Sequence, residues 1–123
     1  MRTLKIKVGD TEYTINRAVS VDLAMESRGM RISDMNDPKK ISTKLLLALL
    51  HEMMAAGARW ARLNGEPDAP DPPAEAELAD MIDDDDLTAL IPPMLSVITG
   101  ERNVIAKPTK KAKAGESGES PAR

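Results

Sequence analysis

His51 is the single histidine of this 123-residue chain, and there is no cysteine. A metal centre or a nucleophile with its base needs side chains that converge on one point, and no second His or Cys exists to meet the imidazole. Thiol catalysis, disulfides and thiolate zinc sites are excluded on the same count. The other concentration of reactive groups is the aspartate run Asp83 to Asp86. A calcium loop needs oxygen ligands at alternate positions, a glycine at the turn and a distal Glu, and the run has none of that pattern. It reads instead as a helix start, with Asp86 as the cap and its neighbours complementing the helix dipole. No glycine-rich phosphate loop, nucleophile elbow or zinc signature occurs. The expectation is a protein that is not an enzyme, with no catalytic residue, no cofactor and no metal.

Residues that bind rather than react must then carry the function, and composition says what they are made of. The length allows one domain of ordinary size. Hydrophobic residues make up 41% and charged ones 30%, which supports a packed core and argues against wholesale disorder. That core is aliphatic: there is no Phe, one Tyr (Tyr13) and one Trp (Trp60), while eight Met supply adaptable packing. No stretch reaches the roughly 18 apolar residues of a membrane span, and the N-terminus lacks a signal-peptide pattern, so no membrane partner is expected.

Charge is segregated along the chain. Residues 1 to 65 carry 11 basic and 7 acidic groups, residues 66 to 86 carry ten acidic and no basic groups, and residues 106 to 123 carry five basic and two acidic groups. The acidic belt either folds back over the basic N-terminal half or attracts a basic partner. Either way it disfavours nucleic acid, which is bound through concentrated positive charge.

The elements that position these groups follow from periodicity. Leu4, Ile6 and Val8 alternate with lysines, Gly9-Asp10 intervenes, and Thr11, Tyr13 and Ile15 alternate with Glu12 and Thr14. This predicts a β-hairpin over residues 3 to 16 in which Ile6 faces Tyr13 and Leu4 faces Ile15. A lone hairpin is marginal in water, so its apolar face must pack on helices or extend another sheet. Ser20 caps a helix over about 20–28 that stops at Gly29. Asp37-Pro38 starts a long helix over 38–64 that ends at Gly65. Four prolines between Glu66 and Ala74 mark an extended connection. Helix resumes over 74–82 and again over 86–99, where Pro92-Pro93 should force a kink or a restart. The fold class is α+β and mainly helical: an N-terminal β-hairpin packed on about four helices. One globular domain spans 1–105, and residues 106–123 form a disordered basic tail.

On the long helix, Lys44, His51, Glu52, Arg59 and Arg62 share one narrow polar stripe, and apolar residues occupy most of the remainder. A face that broad needs cover on two sides. Leu46, Leu49, Leu50, Met53, Gly57 and Trp60 form its centre; Leu47, Met54, Ala58 and Ala61 form the far flank. The C-terminal helices cover both sides, or the flank meets another chain. On the second alternative the candidate partner-binding residues are Leu47, Leu50, Met54, Ala58 and Ala61.

The order of features resembles the tail assembly chaperones of long-tailed bacteriophages and prophages. The segments that carry the likeness are the hairpin KIKVGDTEYTI (Lys5 to Ile15), the short helix ending Glu26-Ser27-Arg28-Gly29 with Met30, Ile32 and Met35 after it, the Leu-rich KLLLALLHEMM, and the acidic ELADMIDDDDLTALI before a last helix. The Pro-rich stretch at Glu66 to Ala74, Pro92-Pro93 and the lack of a Phe after the hairpin depart from the family pattern. The resemblance implies a chaperone that coats the apolar tape measure protein before the tail tube polymerises, recruits major tail tube subunits, self-associates, and can be made in a longer frameshifted form. It also implies a location in the cytoplasm of the bacterial host and absence from the mature virion. The alternative is a small head-tail connector or tail adaptor retained in the particle.

Overall fold

The computed structural model describes residues 3–100. It is an α+β fold, mainly helical: strands β1 (Thr3–Val8) and β2 (Thr11–Asn16), helices α1 (Val19–Ser27), α2 (Thr43–Leu63), α3 (Glu75–Met81) and α4 (Asp84–Thr99), and a short 3-10 turn at Ile32–Asn36. The expected basic tail at 106–123 lies outside the described residues. So does the end of the domain expected at residue 105.

Gly9, at a φ of 62°, turns the hairpin in the left-handed region that a side chain disfavours. The antiparallel register that results pairs Val8 with Thr11, Ile6 with Tyr13 and Leu4 with Ile15, as the alternation predicts. Ile6, Val8, Tyr13 and Ile15 are buried, while Lys5, Lys7 and Glu12 are exposed. The buried face packs mainly on α2 and also meets α4.

Helix boundaries move where a better cap competes. α1 begins at Val19, a residue earlier than expected, with Ala18 at the cap and no side-chain cap bond; the Ser20 hydroxyl accepts from Arg59 Nη2 at 3.4 Å instead. Asp37-Pro38 does not open α2. Asp37 closes a turn, its Oδ1 accepting from Lys39 N and its carbonyl from Lys40 N, and the helix starts after Ser42, whose Oγ accepts from Leu45 N at 3.1 Å. Both positions suit a helix start; Ser42 sits next to the first continuous apolar run and takes it. In α4 the cap is Asp83, not Asp86. Asp83 Oδ1 accepts from Asp86 N at 2.8 Å, and Asp86 Oδ2 accepts from Asp83 N at 3.2 Å, a reciprocal pair that satisfies two orphan donors. Helix continues through Pro92 and Pro93 without a restart. The carbonyls deprived of donors belong to Thr88 and Ala89, both exposed residues within reach of water.

The long helix is the hub. Leu49, Leu50, Met53, Met54 and Ala61 have no exposed surface, and Ala58 has 1%. Of the two alternatives the covered one holds: among the five candidate partner-binding residues Leu50, Met54, Ala58 and Ala61 are enclosed, and Leu47 is half-buried against the same cluster. The cover differs from the expected pair of C-terminal helices, because β2 and α1 supply more of it than α3 and α4 do.

Gly57 shows how close the helix and the hairpin lie. A Cβ placed there would sit 1.8 Å from the Thr14 carbonyl oxygen and 2.8 Å from Ile15 Cα. Both are backbone atoms, so no side chain can swing aside. The Gly57 Cα must itself lie within about 3.3 Å of that oxygen, which is Cα–H···O range. Gly57→Ala should cost about 3 kcal/mol or more, at or above the upper end for an overpacked core. Urea unfolding of the variant beside the parent checks it, and equal midpoints would disprove the contact.

Candidate partner-binding surface

The polar stripe of α2 is where its neighbours are pinned. Arg28, at the C-terminal end of α1, donates from Nη1 and Nη2 to Glu75 Oε1 and Oε2, both at 2.8 Å, and from Nη1 to Glu52 Oε2 at 3.4 Å. One guanidinium thereby ties α1, α2 and α3 together through a planar two-bond fork. The Glu75 carboxyl is held below its ordinary value by those Arg28 hydrogen bonds, opposed by partial burial and helped by the positive charge of Arg28, His51 and Lys44. His51 is half-buried on the same stripe, and its Nδ1 has no hydrogen-bond partner among the described residues. No group of three His, Cys, Asp or Glu side chains among the described residues could hold a metal ion.

Three acids of the belt pair with the basic N-terminal half: Glu66 with Lys5 at 3.1 Å, Asp71 with Arg62 at 2.8 Å, and Glu75 with Arg28. Arg62 also donates to the Ala69 carbonyl from Nε and Nη2, which fixes the Pro-rich connection to the end of α2. Asp68, Glu77, Asp80 and Asp83 to Asp86 form no ion pair among the described residues.

Beside Asp86 lies an open groove of about 410 Å³ between the hairpin tip and the junction of α3 with α4. Val8, Gly9, Met81, Ile82, Ala89 and Leu90 line it together with the charged Lys7 and Asp86. Met81 is 48% exposed although Leu78, one turn earlier, is fully buried. α3 ends at Met81, so no following turn exists to cover it. None of the five residues proposed from sequence reaches this groove. In the sequence Leu78, Met81 and Ile82 stand at helical spacing next to the four aspartates, yet nothing in the chain marks the hairpin tip as the opposite wall.

Two smaller clefts are less suited to a large partner. One, of about 180 Å³, is lined by Arg17, Asp22, Glu26, Arg31, Ile32 and Ser33. Its Arg17 is already engaged, donating to the Ile98 carbonyl at 3.0 Å and lying 3.5 Å from Asp22. The other, of about 310 Å³, sits between Trp60, Leu4, Lys5 and Glu66.

No family model, curated protein or solved structure matches this chain. Among the described residues no helix is long and apolar enough to cross a membrane.

The Arg28 node makes a pH prediction. Because the Glu75 carboxyl is lowered in the folded state, its contribution to stability is complete above the ordinary value of 4.5 and is lost as pH falls through the folded-state value. The pair is about a third exposed, so the contribution is small, about 1 kcal/mol or less. Glu75→Gln should lower stability at pH 7 and flatten the loss between about pH 5 and 3, as read by denaturation at each pH. An unchanged acid limb would remove Glu75 from the account.

Proposed function

We propose that this protein is a non-enzymatic tail assembly chaperone of a long-tailed phage or prophage, holding the apolar tape measure protein in solution in the bacterial cytoplasm before tail tube subunits enclose it. The open methionine-bearing groove at Met81 is the observation that carries the reading. It offers an apolar strip beside the acidic run Asp83 to Asp86, and a thioether adapts its shape to varied helices, as a holder of a long and irregular client requires. The order of hairpin, short helix, Leu-rich helix and acidic junction supports the same reading through the family resemblance.

The partner surface moves accordingly, from the flank of α2 to the groove. Leu50 and Met54 cannot meet a client without unfolding the domain, since an unpaired carboxylate in their place costs several kcal/mol. Met81 and Leu90 can. Recruitment of tube subunits and self-association belong to the same proposal, as does absence from the finished particle.

Co-expression with the tape measure protein is the direct test. The parent should keep the client soluble, and Met81→Asp should remain folded by circular dichroism yet lose at least about half of that effect. If Met81→Asp protects the client fully, the groove is not the client surface. If the protein is found in purified virions at fixed copy number, the connector reading replaces the chaperone.

A further inference from the structure

The hairpin is a two-stranded sheet, so each strand has one outer edge. In an antiparallel ladder closed by a two-residue turn, the flanking pair is hydrogen-bonded and bonded pairs alternate from there. Val8 and Thr11 flank Gly9-Asp10, so Leu4, Ile6 and Val8 bond to β2, while Thr3, Lys5 and Lys7 direct their N–H and C=O groups away from it. The same alternation turns the Thr14 carbonyl outward on the far side, where Gly57 of α2 meets it. At Thr14 the outer edge of β2 is thus closed by a helix. The outer edge of β1 has no backbone partner among the described residues, and α4 packs across the face of both strands instead. The groove at Met81 begins at this open edge, since Lys7, Val8 and Gly9 line it and no residue of β2 does.

We propose that the outer edge of β1 receives an extended segment of a partner protein as a third strand, apolar at alternate positions and carrying an acid opposite Lys7. Unpaired backbone groups at every second residue fit a strand, whereas a helix has spent its own groups internally. Side chains on one face of the added strand then enter the groove toward Met81, Ile82 and Leu90, and those on the other stand beside the lysines.

Charge selects the occupant. Lys5 is paired with Glu66, but Lys7 is exposed and forms no ion pair among the described residues. Asp86, the other charged residue of the groove, is engaged as the cap partner of Asp83 in the first turn of α4. A second copy of β1 fits badly: in the two antiparallel registers of greatest overlap, Lys5 meets Lys5 or Lys7 of the copy, and like charges directly opposite are destabilising. The lysines therefore guard the edge against its own copy and admit an acid-bearing strand. This inference goes beyond the client reading and does not rest on it, although an edge strand and a client at Met81 would compete for the groove.

Three short peptides serve as probes on the full chain: valine alternating with glutamate, valine alternating with lysine, and valine and glutamate set at helical spacing. The alternating valine–glutamate peptide should slow amide exchange at Lys5 and Lys7 by at least about tenfold at saturation, while Ile6 and Val8, already bonded to β2, keep their rates. The valine–lysine peptide should bind about three- to tenfold more weakly, and Lys7→Glu should invert that order. Unchanged exchange at Lys5 or Lys7, equal protection by the helically spaced peptide, or a preference that survives Lys7→Glu overturns the proposal. So does protection of Lys5 and Lys7 that grows with protein concentration in the absence of peptide, which would make a second copy the occupant.

Discussion

Backbone meets backbone where α2 crosses β2, and the remaining packing is arranged around that crossing. A helix can come this near a strand only at a residue without a side chain, and Gly57 is that residue. The approach lets a two-stranded sheet, too small to stand alone, lean on a 21-residue helix along its whole apolar face. Tyr13 and Ile15 are thereby sealed against the middle of α2, and Met25, Leu78 and Met94 close the core from the other helices. With no phenylalanine to fill wide gaps, short distances between backbones and unbranched methionines keep the interior filled.

The polar side of α2 has the complementary task. α3 has seven residues and one buried side chain, too little to be helical by itself. It is capped on one side only, Glu77 accepting from Ala74 N at 3.3 Å while Ala74 offers no side-chain acceptor. Leu78 and the Arg28–Glu75 fork hold it on α2, and Asp83 and Asp86 start the next helix directly after it. Two extended residues, Ile82 and Asp83, separate the helices, and Met81 is left outside the core beside the groove. A surface suited to a partner arises here from the shortness of α3.

Much of the fold was legible because local signals were unambiguous. Alternation through Gly9-Asp10 specified the hairpin and its register to the residue, and Gly29 and Gly65 marked helix ends by their need for positive φ. Where two caps competed, as with Asp37 and Ser42 or Asp83 and Asp86, local preference could not choose between them. The candidate site was not legible. A 100° projection shows which residues of a helix share a face, but not how many neighbours will cover it, so Leu50, Met54, Ala58 and Ala61 were open to a partner on paper and enclosed in the structure. The groove joins the hairpin tip to the α3–α4 junction, residues some seventy positions apart, and only tertiary packing brings them together.

Native-state hydrogen exchange, read amide by amide, tests most directly whether hairpin and long helix form one cooperative unit through the Gly57 crossing. The account predicts that the slowest amides lie together in β2 and the middle of α2, from Leu49 to Ala58, and exchange only on global unfolding, while α3 opens separately and at lower cost. Exchange of β2 well ahead of the middle of α2 would contradict it, because the hairpin would then be an appendage and the close approach at Gly57 would not hold the fold together.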